Sequence, residues 1–180
     1  MLRKILIPID DSKCSEQAAN YALALAKKFD AVVLMIHVVE ELPQLYRETA
    51  WFESLMQKGT DLVSHWKDKA QKDQLNLHTT VIKGEDVAQS IVTFAQDNHC
   101  DLIIIGTHSR KGLAHMFLGS VAERVTRLSD VPVMLIREST QDVAEFRRIL
   151  LAVDGSDTSR KALKYADQLA QETQAELHLL

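Results

Sequence analysis

Cysteine, positive charge and long apolar runs are all scarce in this chain, and each scarcity excludes a class of protein. The two cysteines, Cys14 and Cys100, lie far apart and have neither the paired spacing of a zinc site nor that of a disulfide framework. Acidic residues outnumber basic ones by 25 to 21, and the net charge of -4 offers no general attraction to nucleic-acid phosphates. We therefore expect two buried thiols and no nucleic-acid partner.

Segments that could enter or cross a membrane are also missing from the sequence. The longest apolar stretch, residues 31–39, contains His37 and is far shorter than the roughly 20 residues that span a bilayer. The N-terminal apolar run, residues 5–9, leads directly into Asp10 and Asp11, so it is too short and too acidic for a secretion signal. We expect a cytoplasmic protein with no membrane partner.

Short apolar runs alternate with segments of helical periodicity along the chain. This pattern predicts an α/β fold, a doubly wound five-stranded parallel sheet with helices on both faces and fully buried strands. Among the orders that such sheets adopt, we expect 3-2-1-4-5. Gly59 is a candidate break in the longest helix. The predicted strands are residues 5–9, 31–39, 77–83, 102–107 and 131–136, and the predicted helices are residues 15–29, 44–72, 85–98 and 119–128. The expected core residues are Ala18, Ala22, Leu25 and Ala26 in the first helix, and Leu55, Leu62, Val63 and Trp66 in the second.

An internal duplication sets the domain organisation. Residues 147–180 repeat residues 3–36 without a gap at a constant offset of 144, and Asp154 and Ser156 repeat Asp10 and Ser12. The second copy supplies only strand, helix and strand, so it cannot close a core alone and must dock its apolar faces on the first domain or another chain. The predicted organisation is a complete domain at residues 1–137, a polar linker at 138–146 and a partial second domain (β-α-β) at 147–180.

Two glycine-containing segments are the best candidates for a binding site. Residues 106–112 leave the fourth strand and residues 119–121 open the fourth helix, so both reach the sheet edge where α/β proteins bind ligands. Gly106 is interpreted as letting the backbone approach a ligand, while Gly119 and Ser120 place N–H groups and a hydroxyl at a helix N-terminus, which favours a phosphate. Alternatively, Ser120 and Glu123 form an ordinary capping box.

Other polar residues leave simpler alternatives open. Asp10 and Asp11 could hold a metal, but a cap on the following helix, supplied by Asp11 or Ser12, is the more frequent role. The histidines lack ligand spacing, so no metal centre is predicted. His108 lies within the glycine segment and is either a phosphate donor or a bystander turn residue.

The two glycine segments closely resemble the nucleotide-binding signature of the universal stress protein family. That signature is a glycine, two residues, a second glycine, nine residues, and then Gly-Ser or Gly-Thr. Gly106, Gly119 and Ser120 match it, while Ser109 stands where the second glycine belongs. Residues 5–10 followed by Ser12, and residues 37–39, resemble further landmarks, so that the resemblance covers the whole chain, as in tandem members of the family.

The resemblance implies a nucleotide-binding regulatory protein of stress or growth arrest, with ATP as ligand and Mg²⁺ beside its phosphates. It assigns Asp10 and Val38 to the adenine and Gly106 to the ribose or phosphates, with backbone from Pro8 and Ile9 around the base. The implied phosphate contacts are Ser109, Gly119, Ser120 and Val121, with His108 and the positive charge of Arg110 nearby.

Alternatives to ATP binding depend on Ser109. The hydroxyl of Ser109 can donate to a phosphate, which would preserve binding, but the side chain can also crowd the phosphate. Because crowding could prevent nucleotide binding, the second hypothesis is a scaffold that acts through protein contacts or an apolar ligand. A nucleophile elbow and a Walker lysine are both missing, so efficient hydrolysis or phosphoryl transfer is not predicted.

The family also implies a homodimer formed through the fifth strand and a regulatory protein partner of unknown identity.

Overall fold

The computed structural model describes residues 2–41, 50–107, 119–137 and 146–180. They belong to two compact units, Leu2–Asp142 and Val143–Leu180. The first unit contains a five-stranded parallel sheet of order β3-β2-β1-β4-β5, which confirms the predicted fold class and strand order. Its strands are β1 (Lys4–Pro8), β2 (Val32–Glu40), β3 (Leu77–Gly84), β4 (Leu102–Gly106) and β5 (Val133–Ile136), and its helices are α1 (Lys13–Phe29), α2 (Ala50–Lys72), α3 (Val87–Asp97) and α4 (Ser120–Leu128).

The winding direction reverses between β1, the central strand, and its neighbour β4. From β1 the chain proceeds outward to β2 and β3, and then crosses back to β4 and β5. Right-handed crossovers place α1 and α2 on one face and α3 and α4 on the other. The helices that follow β1 and β4 consequently lie on opposite faces, and the carboxyl ends of these two strands border the crevice expected at such a reversal.

The core is densest around the central strands. Ile5, Leu6 and Ile7 of β1 are completely buried, because helices cover both faces of this strand. The predicted inner face of α1 is confirmed, since its alanines and Leu25 are also buried, and these small side chains let the helix lie close to the sheet. Both cysteines are buried as expected.

The prediction that all strands are fully buried is wrong for the sheet edges. β3 alternates between exposed and partly buried residues, and Leu135 of β5 is 37% exposed, because an edge strand has a neighbour on one side only. The suspected break at Gly59 is wrong as well. The helix runs continuously through this buried glycine, with Val63 and Trp66 buried and Leu55 and Leu62 partly buried, whereas its predicted residues 44–49 lie outside the described residues.

The second unit is a strand–helix–strand of β6 (Arg148–Leu151), α5 (Asp157–Thr173) and β7 (Glu176–Leu179). Its two strands pair in the same register as β1 and β2, displaced by 144 residues, so that Ile149 pairs with Leu177 as Ile5 pairs with Val33. Leu150 is 69% exposed, whereas its counterpart Leu6 is completely buried. The repeated sequence therefore forms the repeated backbone, and within this unit α5 is the helix that packs on the small sheet.

None of the helices in the described ranges combines the length and the hydropathy that a membrane span requires.

Candidate functional site

The turn after β1 is fixed by three hydrogen bonds. Ser12 caps α1, because its hydroxyl accepts from the backbone N–H of Ser15 at 3.1 Å, which confirms one of the two predicted caps. The N–H of Ser12 donates to Oδ1 of Asp10 at 3.0 Å, and the N–H of Asp10 donates to Oγ of Ser15 at 2.9 Å. The turn therefore holds both the backbone and the carboxylate of Asp10 at the carboxyl end of β1.

The corresponding turn in the second unit has a similar cap. The N–H of Ser156 donates to Oδ1 of Asp154 at 2.9 Å, and the N–H of Ser159 donates to Oγ of Ser156 at 3.1 Å. Hydrogen bonds from the hydroxyl and N–H of Ser156, assisted by Ser159, lower the pKa of Asp154 to about 2, because they favour the carboxylate. Residues 146–180 contain no counterpart of β4 or α4, so this turn has no facing wall among them.

The end of β2 holds the peptide group that follows β1. Nδ1 of His37 lies 2.8 Å from the carbonyl oxygen of Ile9, and since a carbonyl only accepts, Nδ1 carries the proton. The N–H of Ile9 donates to the carbonyl of Ile36 at 2.8 Å. Val38, the next residue of the strand, packs on the α3 side of the sheet. The strand thereby contributes a hydrogen bond from His37 to the Ile9 carbonyl and an apolar side chain, Val38, on the α3 side.

The N-terminus of α4 has no side-chain cap among the described residues. Gly119 is the N-cap and Ser120 the first helical residue, with the N–H of Glu123 bonded to the carbonyl of Gly119 at 2.8 Å. The capping-box interpretation of Ser120 and Glu123 is therefore wrong, because Ser120 lies one position too late to cap. Gly119 is anchored to the end of β4, since its N–H donates to the carbonyl of Thr107. The N–H groups at this end are available to an anion.

Gly106 is needed for packing against α1, which the sequence interpretation did not foresee. A Cβ atom at this position would lie 2.6 Å from the backbone carbon of Cys14 and 2.9 Å from the backbone nitrogen of Ser15. These atoms belong to the first turn of α1 and cannot rotate away. The glycine lets β4 end directly beneath that turn, and the expectation that it also lets the backbone approach a ligand stays a prediction.

An ion pair joins the two helices that flank the crevice. Oδ1 of Asp86 caps α3 by accepting from the N–H of Gln89 at 3.1 Å, and its Oδ2 accepts from Arg124 of α4. The Gln89 bond, followed by the Arg124 guanidinium, lowers the pKa of Asp86 from its ordinary value. This bridge links the N-terminus of α3 to the helix that carries Gly119 and Ser120.

These elements surround one cleft at the carboxyl edge of the sheet. All predicted site residues that the structure describes line it: Pro8, Ile9, Asp10, Val38, Gly106, Gly119, Ser120 and Val121. The remaining predicted residues, His108, Ser109 and Arg110, lie outside the described residues. The cleft is also lined by residues that the sequence interpretation did not assign to the site: Ser12, Ser15, His37, Val87, Ile91, Ile105 and Ala122.

Apolar side chains dominate one part of this cleft. Val87 and Ile91 occupy successive turns of α3 and face Val38 and Ile105 across the crevice. Their four-residue spacing, directly after the third strand, is the only signal that could have identified them from the sequence. The cleft combines an apolar wall with a helix N-terminus, a combination suited to a ligand with a flat apolar part and an anionic part.

Within the described ranges, histidine, cysteine, aspartate and glutamate side chains do not gather into a group of three or more that could hold a metal ion.

Comparisons with known proteins agree on one family. The family model described as the universal stress protein family matches residues 1–137 and 145–180. The chain is similar to the universal stress protein MJ0531 of Methanocaldococcus jannaschii, with 36% identity over 147 residues that cover 79% of this chain and 86% of that protein.

Solved structures share the fold of the first unit. A protein from the universal stress protein family of Burkholderia pseudomallei has a TM-score of 0.63 and 24% identity, covering 75% of this chain and 96% of that chain. A universal stress protein in complex with cAMP has a TM-score of 0.61 and 19% identity, covering 76% of this chain and 98% of that chain. At these identities the likeness supports the fold and leaves the ligand of this chain open.

Proposed function

This chain belongs to the universal stress protein family, and we propose that its first unit is a regulatory domain that binds ATP in the cleft. The observation that carries the proposal is the convergence of the β1 turn, the end of β2 and the N-terminus of α4 on one crevice. The proposed role is a response to stress through the bound and free states of the domain. Turnover of the nucleotide is not required for it.

The proposed adenine site lies between the β1 turn and α3. Val38, Val87 and Ile91 offer apolar contacts to the faces of a base. The Ile9–Asp10 backbone and the carboxylate of Asp10 supply polar groups at its edge. Asp10 is exposed in the free protein, so its carboxylate can reach a base or a ribose without first leaving a buried site.

The proposed phosphate site is the N-terminus of α4. Gly119 and Ser120 open the helix, the backbone N–H groups of Ser120 and Val121 would contact the phosphates, and the helix dipole adds a partial positive charge there. Mg²⁺ fits this arrangement only as a companion of the phosphates, because the described residues provide no cluster of chelating side chains. When bound, it would neutralise part of the phosphate charge.

Isothermal titration calorimetry with Mg-ATP tests the proposal. The most informative variant is Ser120→Asp, because a carboxylate in the first turn favours the helix but repels phosphates. We expect Ser120→Asp to abolish binding without lowering the stability of the free protein, and the uncharged Ser120→Asn to retain most of the affinity. Absence of binding to the folded wild-type protein at millimolar Mg-ATP, or equal binding by Ser120→Asp, would refute the ATP site.

Thermal unfolding supplies a second readout of the same proposal. Ligand at 100 times its Kd stabilises a folded protein by about 2.7 kcal/mol. For a domain of this size, that energy corresponds to a rise in Tm of roughly 5–10 °C. Parallel scans with cAMP, AMP and GTP identify the ligand class, since a universal stress protein of the same fold has been crystallised with cAMP. A larger shift with GTP than with any adenine nucleotide would contradict the adenine assignment.

A second candidate function is a scaffold that binds no nucleotide and acts through protein contacts or an apolar ligand. The observation in its favour is Ser109, which replaces a glycine of the family signature. Ser109→Gly separates the two functions. If the wild-type protein binds no ATP and Ser109→Gly gains binding, the scaffold function is supported. If both bind, the serine is tolerated and the ATP function stands.

We further propose that the protein self-associates through β5 and works in the cytoplasm with a regulatory protein partner. β5 is an edge strand of the first sheet, and Leu135 is partly exposed on it. Light scattering should detect a dimer, and Leu135→Arg should produce a monomer of unchanged fold. A monodisperse wild-type monomer would contradict the proposed association.

A further inference from the structure

The peptide group between Ile9 and Asp10 is held at both of its polar atoms by side chains from different elements. Its carbonyl oxygen accepts from Nδ1 of His37 in β2 at 2.8 Å. Its N–H donates to Oγ of Ser15 in α1 at 2.9 Å. His37 and Ser15 both line the cleft, and the peptide lies where the edge of the adenine is proposed to bind. Removing either side chain leaves the peptide with one of these two hydrogen bonds instead of both.

The His37 ring touches a third element, α2. A Cβ atom on Gly59 would lie 2.6 Å from Cδ2 of His37 and 3.2 Å from Cγ1 of Val81, which pairs with His37 across the sheet. The imidazole therefore occupies the space that the glycine leaves open in the helix. Because Cδ2 and Nδ1 belong to the same rigid ring, any push on Cδ2 from α2 also moves the donor that holds the Ile9 carbonyl.

We propose that His37 is a positioning residue that couples the seating of α2 on the sheet to the Ile9–Asp10 peptide of the nucleotide cleft. The inference rests on the proposed ATP function and assigns His37 no direct role in chemistry. α2 packs on the face of the sheet opposite α3 and α4. The coupling therefore connects a helix on one face to a cleft whose apolar wall is formed by α3 on the other face. A partner that shifts α2 would thereby alter nucleotide affinity.

A matched pair of variants at His37 tests the positioning role. His37→Asn keeps a nitrogen donor near the place of Nδ1, whereas His37→Leu keeps apolar bulk and removes the donor. We expect His37→Leu to raise the Kd for Mg-ATP roughly three- to tenfold, the value of one net hydrogen bond, and His37→Asn to recover most of that loss. Equal affinities of the wild-type protein and His37→Leu would overturn the proposal.

A double-mutant cycle tests the connection to α2. Gly59→Ala should raise the Kd several-fold when His37 is present, but should have little effect in a His37→Ala background, where the ring is gone. Lys58→Ala, an exposed change on the same helix, serves as the control. An equal effect of Gly59→Ala in both backgrounds would show that α2 acts on the cleft by another route, and the proposal would fail.

The free protein gives a readout that is independent of nucleotide binding. Amide resonances of Ile9 and Asp10 should shift in Gly59→Ala and in His37→Leu, and should stay near their original positions in Lys58→Ala. If ATP fails to bind but these shifts occur, the proposed function is refuted while the coupling of α2 to the turn is retained. If ATP binds and the amides do not respond, the coupling is refuted and the function stands. Urea unfolding of each variant verifies that the compared proteins are folded.

Discussion

Replacing Gly106 by alanine tests how β4, α1 and the cleft fit together. The added methyl group would lie 2.6 Å from the backbone carbon and 2.7 Å from the backbone oxygen of Cys14. Overpacking of this kind costs about 1–3 kcal/mol, and alanine in a strand offsets it by about 0.5–1 kcal/mol. We therefore expect the free energy of unfolding to fall by about 1–2 kcal/mol. Affinity for ATP should also fall, because the first turn of α1 carries Ser12 and Ser15, which hold Asp10.

Urea unfolding followed by tryptophan fluorescence is a suitable assay, since Trp51 and Trp66 both lie in α2 and report on the first unit. The matched control is Gly84→Ala, at the end of β3. There the added methyl group meets Oγ of Ser90, at the end of a short side chain that can rotate, so the loss should be smaller. A Gly106→Ala protein as stable as wild type, or one less destabilised than Gly84→Ala, would refute the packing argument.

Three further predictions concern the caps and the buried thiol. Ser12→Ala should lower the free energy of unfolding by about 1 kcal/mol in the same assay, whereas Ser12→Asp should not, because aspartate also caps helices. Equal losses of stability in both variants would contradict the capping role of Ser12. NMR titration should give Asp154 a pKa of about 2, and a pKa closer to 3.8 in the Ser156→Ala variant. Because the pKa is lowered in the folded protein, the carboxylate contributes to stability above about pH 3.8, and this contribution is lost as the pH falls toward 2. Burial raises the pKa of Cys100 to about 11, so its thiol should react slowly with disulfide reagents at pH 8 until urea unfolds the protein; rapid reaction of the native thiol would contradict this.

The fold was predictable because its signals are local and regular. The apolar runs of β1, β2 and β4, separated by helical periodicity, indicate a parallel sheet, and the rules for crossover connections leave only a few strand orders for such a chain. The exposure of β3 and β5 was not predicted, because edge position is a property of the assembled sheet. The same holds for Gly59, because the His37 ring that lies beside this glycine comes from a different element of the fold.

The candidate site was predictable only where it follows a recognisable spacing. Gly119 and Ser120 stand at a strand-to-helix junction, which suggests an anion site from sequence alone. Gly106 belongs to the same signature, but the backbone distances that require a glycine there appear only when α1 is in place. His37 was not assigned because its partner is the backbone carbonyl of Ile9 in the turn after β1, and the sequence gives no sign of a backbone partner.

The crystal structure of the protein grown with Mg-ATP tests the account most directly. The adenine should lie beside Val38 and the Ile9–Asp10 peptide, with phosphate oxygens about 3 Å from the backbone nitrogens of Ser120 or Val121. A nucleotide bound elsewhere, or a cleft filled by packed side chains at saturating ATP, would contradict it.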